Sequence, residues 1–187
     1  MLKKRVGATV SYSNLARNLQ VSDSTVKRWL LILENLYIIY RVTPYSKNIS
    51  RSLLKEPKFY FYDHNYAESN DGAKLENIVA NALHKQLDYI QDTTGLNVAL
   101  HYLRTKDGKE LDFLICIDGN PVLMLEIKNS DDSPAKAFEH FAAFIPNTKQ
   151  LQLVKNLKRE KTFSHGLEIR ELIPWLAKMD LMKFGIS

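Results

Sequence analysis

The sequence predicts an α/β chain in two parts: a small helical module closed by a strand pair, then a larger layered α/β core. Three observations predict it. Two short amphipathic segments and two β-branched, aromatic runs are packed into the first 65 residues. A long amphipathic pattern over 72–89 then opens a series of apolar segments punctuated by Asp-Gly turns. Charge is shared unevenly: residues 1–65 carry 11 Lys and Arg against four acids, a net +7, while 66–187 carry a net −2. The parts therefore divide at 65/66, and any polyanion contact belongs to the first.

Ser11–Leu19 reads as a short helix capped by Ser11 or Ser13, with Leu15, Ala16 and Leu19 on its apolar face. Gln20-Val21-Ser22 turns the chain. Ser22 or Asp23 caps a longer helix to about Leu36, whose Val26, Trp29 and Leu30 face the core. Ile38–Thr43 and Lys58–Tyr62 read as strands, joined by the polar, basic stretch Pro44–Pro57. Helix, turn, helix, strand, basic loop, strand is the order of a winged helix, a module that puts its second helix in the DNA major groove and its hairpin along the backbone. Thr25, Lys27 and Arg28 are then the groove-facing candidates, with Lys47 and Arg51 in the basic loop. The same module also serves for protein docking.

After a polar link at Asn65–Gly72, the helix over Gly72–Tyr89 carries Leu75, Ile78, Val79, Ala82, Leu83 and Leu87 on one face. Val98–Arg104, Lys109–Ile117 and Pro121–Asn129 form an antiparallel meander turned at Asp107-Gly108 and at Asp118-Gly119-Asn120. Pro134–Phe144 is a helix, Lys149–Val154 a strand, Leu167–Arg170 a last strand and Ile173–Met179 a terminal helix. Tyr60, Phe61, Tyr62 and the Phe138–Phe144 pattern read as core.

The chain has 187 residues, 45% hydrophobic and 25% charged, which excludes a mainly disordered chain. No apolar stretch approaches the ~20 residues of a membrane span. The lone Cys116 excludes an internal disulfide and suits a reducing, cytoplasmic compartment; it sits in an apolar run where an inert thiol is expected. The five histidines show no metal-ligand spacing.

Chemistry concentrates in the meander. Glu110 and Asp112 share one face of their strand, Glu126 and Lys128 one face of the next, and the turn at 118–120 folds the two against each other. Charges inside strands this apolar must be paired, hydrated or metal-bound. Several acids and a lysine at one end of a sheet suit a hard divalent cation, with the lysine orienting or deprotonating a water.

Asp112 followed by Glu126-Ile127-Lys128 resembles the D…(D/E)-x-K signature of the PD-(D/E)XK nuclease superfamily, and the helix–three strands–helix–strand order is similar to its restriction-endonuclease-like core. The resemblance implies Asp112 and Glu126 as metal ligands, Lys128 as the catalytic lysine and Glu76 as an auxiliary ligand; Glu110, beside Asp112 on the same face, is expected to assist, with Mg²⁺ or Mn²⁺ as the cofactor. Gln150 and Gln152 are weaker candidates nearby.

A longer string spans most of the chain: Ser24–Leu30, Leu33–Ile39, Pro44–Asn48, Pro57–Asp63, Gly72–Asn77, Gly108–Phe113 and Leu125–Lys128. Together these segments resemble the uncharacterised C-terminal domain behind many bacterial and archaeal AAA-type ATPase modules. That resemblance implies a winged helix joined to a nuclease-like fold, with an ATPase module as partner and DNA as a further one. No G-x-x-x-x-G-K-[ST] loop occurs, so nucleotide hydrolysis is expected to lie outside this chain. Asp63-His64-Asn65 stands where the family's turn has a glycine, and Asn is expected to supply positive φ there. Two readings follow: a Mg²⁺-dependent nuclease-like domain with a DNA-holding arm, or the same fold without turnover as a DNA- or protein-docking module.

Overall fold

The computed structural model describes residues 1–46 and 56–184. They form two compact units, Met1–Asn81 and Ala82–Ser187. The expected boundary at 65/66 falls inside the first unit.

In the first unit a 3-10 turn at Leu2–Arg5 precedes α1 (Tyr12–Leu19) and α2 (Asp23–Asn35). Both helices begin where a serine side chain takes an orphan amide: Ser11 accepts from Asn14 N and Ser22 from Thr25 N. Gln20 closes α1 in the left-handed conformation. β1 (Ile39–Pro44) and β2 (Lys58–Phe61) pair antiparallel, Ile39 opposite Phe61. Leu15, Ala16, Val26, Leu30, Ile39, Val42, Phe59 and Tyr60 are buried.

Trp29 departs from the expected core. It is 42% exposed, and Leu31, Ile32, Leu36 and Tyr37 are exposed with it. The fully buried stripe of α2 is the narrow Val26–Leu30 pair, with Leu33 half-buried beside it. Tyr62 is exposed as well. The turn after β2 needs no positive φ: Asp63 accepts from Asn65 N at 2.9 Å and starts a 3-10 turn over His64–Tyr66. Asn65 is not among the described residues of positive φ.

α3 (Asp71–Thr94) is longer than the apolar pattern implied. Its buried positions include Asn77 and Ala80 beside Leu75, Val79, Leu83, Leu87 and Ile90, whereas Ile78 is exposed.

The second unit holds β3 (Val98–Arg104), β4 (Glu110–Ile117), β5 (Asn120–Lys128), β6 (Lys149–Val154), β7 (Lys161–Thr162) and β8 (Leu167–Glu171). They lie in the order β3-β4-β5-β6-β8-β7. β3, β4 and β5 are the expected antiparallel meander, and β5, β6 and β8 run parallel. Asp118 and Gly119 both take positive φ between the paired Ile117 and Asn120, the two-residue turn that matches strand twist. α4 (Ala137–Phe144) crosses between β5 and β6, starting three residues later than expected, and α5 (Leu172–Ala177) follows β8. Phe138 and Phe141 are buried, while Phe144 is exposed. The short β7 had no sequence signal.

Candidate functional site at the end of the β4–β5 hairpin

At the start of β4, Leu111 and Phe113 are fully buried and Glu110 and Asp112 half-buried, whereas from Phe113 to Ile117 every residue is buried, so only this end of the strand opens one face. The backbone ladder with β5 runs from the turn to Phe113 opposite Leu125. Beyond that pair the Asp112 side chain takes over, its Oδ2 accepting from Ile127 N at 2.8 Å. Asp112 is thereby fixed beside the strand that carries Glu126 and Lys128.

Glu126 is 7% exposed. Its Oε1 lies 2.5 Å from Lys128 Nζ, and its Oε2 is a buried acceptor with no hydrogen-bond donor against it among the described residues. A carboxylate this deep needs compensating charge, and the adjacent ammonium supplies it. Burial of Lys128 works to lower its pKa. The hydrogen bond and charge of Glu126, with the charges of Asp112 and Asp131, outweigh that and leave it above the ordinary lysine value. Lys128 is therefore an ammonium at neutral pH: a donor and a positive charge, not a resting base.

The parallel register sets Gln152 of β6 beside Glu126. Gln152 is fully buried, and its amide organises the segment after β5. Its Oε1 accepts from Ala135 N at 3.0 Å, and its Nε2 donates to Ser133 O at 2.9 Å and Asp131 O at 3.2 Å. Hydrogen bonds from Ser133, N–H to Oδ1 at 2.9 Å among them, hold the exposed Asp131 carboxyl below its ordinary range. Sequence reasoning had Gln152 only as a weak site candidate. Its work is to shape the rim, a role visible only once the loop's backbone is placed.

Asp112, Glu126 and Lys128 are thus brought together. The auxiliary acids have other partners. Glu110 binds Arg104, its cross-strand neighbour, at 3.0 Å. Glu76 belongs to the first unit, where Lys58 Nζ lies 3.2 Å and Tyr60 Oη 2.6 Å from its Oε1. Lys58 is almost wholly buried, and a Cβ at Gly7 would collide with the Glu76 carboxylate at 2.8 Å, so the chain closes tightly over this pair. Among the described residues no group of three or more His, Cys, Asp or Glu side chains could hold a metal ion. The oxygen donors at the hairpin end are the two carboxylates of Asp112 and Glu126. That set fits a Mg²⁺ ion, which is commonly held by one or two carboxylates and otherwise by water and substrate phosphate.

On α2, Lys27 and Arg28 are exposed, with Lys27 Nζ 5.6 Å from the Tyr12 ring centroid. Thr25 is committed to the helix cap, its Oγ1 2.9 Å from Ser22 Oγ. Lys47 and Arg51 lie outside the described residues. No described helix is long and apolar enough to cross a membrane.

Residues 71–175 match the family described as "Domain of unknown function (DUF4143)", a domain found C-terminal to AAA ATPases in some families. Residues 1–74 match "Domain of unknown function (DUF8612)". An uncharacterized protein of Mycobacterium tuberculosis and one of Mycobacterium bovis are each 28% identical over 127 residues. That alignment covers 65% of this chain and 29% of each relative, so the match spans less than a third of their length. No solved structure matches.

Proposed function

This chain belongs to the DUF4143 family, and from the site at the end of its β4–β5 hairpin we propose that its second unit is a metal-dependent, PD-(D/E)XK-like phosphodiesterase acting on DNA held by a winged-helix-like first unit. The observation that carries the reading is the convergence of Asp112, Glu126 and Lys128 on one strand end. The reaction is hydrolysis: water oxygen bonds to phosphorus, the ester P–O bond breaks, and the leaving alkoxide takes a proton.

Asp112 and Glu126 would hold Mg²⁺ or Mn²⁺. When bound, such an ion supplies positive charge against the anion that builds at the attacked phosphate. Asp112 has its orientation fixed in advance by the Ile127 amide, so little ordering remains to be done. Lys128, kept charged by its acidic neighbours, donates to a phosphate oxygen or orients the attacking water. Gln152 holds the 131–135 segment and with it the Asp131 end of the rim. In this reading the protein is the C-terminal part of an AAA-type ATPase assembly, with the hydrolysis of nucleotide supplied by another module.

A second reading, a docking module without turnover, is favoured by one observation: the exposed apolar row Trp29, Leu31, Ile32, Leu36 and Tyr37 on and after α2. Incubation of the protein with supercoiled, branched and single-stranded DNA in Mg²⁺ or Mn²⁺ separates the two. Nicking or cutting that falls at least a hundredfold in Asp112→Asn, with the fold intact by circular dichroism, supports the enzyme. DNA binding with no cutting and no calorimetric Mn²⁺ binding sinks it.

A further inference from the structure

A second cleft lies at the other end of the same strands. β5 runs from Leu123, which lines this cleft, to Lys128 at the candidate site, about 16 Å along an extended strand. The cleft encloses about 710 Å³ at the amino-terminal ends of β5, β6 and β8, within the size range of small-ligand sites.

Its wall carries three cations, Lys149, Arg170 and Lys183, against one carboxylate, Glu168. Arg170 is spent. Its Nη2 binds Glu168 at 2.9 Å and Thr162 Oγ1 at 2.8 Å, and its Nη1 donates to Lys161 O at 2.7 Å. The two lysines remain. Neither has a carboxylate within ion-pair distance among the described residues.

Both ammoniums sit over one ring. Lys149 Nζ is 5.0 Å and Lys183 Nζ 5.3 Å from the centroid of Phe184. They are therefore no more than about 10 Å apart, on flexible side chains that can turn toward one anion, and the ring quadrupole that holds them does not neutralise their charge. An anion in the cleft would be attracted by both charges. Half-buried Trp175 and exposed His165 add flat surface to the same cleft. Positive charge beside aromatic faces is the combination that takes a phosphate and a base together.

We propose that this cleft binds a nucleotide, its phosphate held by Lys149 and Lys183 and its base packed on Trp175. The nucleotide can be free or part of a single strand, since both present the same groups. The inference does not depend on a metal at Asp112, and the test is run in EDTA to keep the two apart.

The chain has two tryptophans, so Trp29→Phe leaves Trp175 as the only indole reporter. The variant is titrated with AMP, with a single-stranded DNA 8-mer and with inorganic phosphate while Trp175 emission is followed. Saturable change with AMP assigns a free nucleotide, and change with the 8-mer alone assigns a strand. In either case Lys149→Gln with Lys183→Gln is expected to weaken binding at least tenfold, with the circular dichroism spectrum unchanged. No saturable response to AMP or DNA overturns the proposal, as does undiminished affinity in the double variant. Inorganic phosphate binding as tightly as AMP and the 8-mer overturns it too, because the ring then contributes nothing.

Discussion

Glu76 and Cys116 show what a single residue can owe to partners far along the chain. Glu76 has the residue type and helix position of an auxiliary metal ligand, yet its carboxylate is engaged by Lys58 and Tyr60 in the first unit. Nothing local announces this, because Lys58 lies 18 positions away in a strand whose other residues are all aromatic. Cys116 was legible, since an apolar run on both sides signals burial. Burial pushes its thiol up to about 12 from an ordinary 9.0. At neutral pH the thiolate population falls by about a thousandfold, so native protein should react with iodoacetamide at least that much more slowly than protein unfolded in urea. The fold prefers the protonated thiol, so its contribution is intact below pH 9 and is lost as pH rises from there toward 12. Native labelling at the unfolded rate would show that Cys116 is open to water.

At the scale of elements, period-two alternation and the Asp-Gly turn put Asp112 near Glu126 or Lys128, but the turn alone does not fix the register: continued from Ile117 opposite Asn120 it would set Asp112 against Leu125, and the irregularity between Ile115 and Cys116 shifts the ladder to Phe113 opposite Leu125, which brings Glu126 to Asp112. Helical periodicity did less well. It gave α2 its length and left Ser22 or Asp23 as its cap, of which Ser22 serves, but it ranked Trp29 with Val26 and Leu30, and periodicity cannot tell how wide a stripe the partner covers. In α3 the apolar pattern missed the polar clamp. Asn77, fully buried, accepts from Phe61 N and donates to Phe61 O, both at 2.9 Å. One turn later Asn81 donates to Tyr62 O and accepts from Tyr40 Oη. These bonds bind the first turns of α3 to β2 and explain why the first unit extends to Asn81. Asn77→Ala leaves two buried backbone groups of Phe61 unsatisfied and should cost about 2–4 kcal/mol in urea unfolding. Asn77→Asp, which keeps the acceptor and loses the donor, should not restore stability, because a buried carboxylate then faces Phe61 O. A loss below about 0.5 kcal/mol for the alanine variant would mean that water replaces the clamp.

Over the whole molecule the charge partition makes the most direct demand on function. A net +7 in residues 1–65 against −2 in the remainder is the reason the proposed reading assigns DNA contact to this stretch, which lies within the first unit. Exposed Lys27 and Arg28 sit near the start of α2, the helix that the winged-helix reading sends into the groove. If each neutralises one phosphate, DNA affinity falls with salt along a log–log slope to which the pair contributes about −1.8. Lys27→Gln with Arg28→Gln should therefore bind duplex DNA more weakly and with a slope shallower by about that amount. The matched loss of two exposed charges in the second unit, Lys158→Gln with Arg159→Gln, should leave the slope where it was. The comparison is between slopes rather than affinities. A docking helix whose exposed apolar row contacts protein loses no counterions on DNA, and its slope would not respond to position 27 or 28. An unchanged slope in the first variant removes α2 from the DNA face and turns its exposed Trp29, Leu31 and Ile32 toward a protein partner instead.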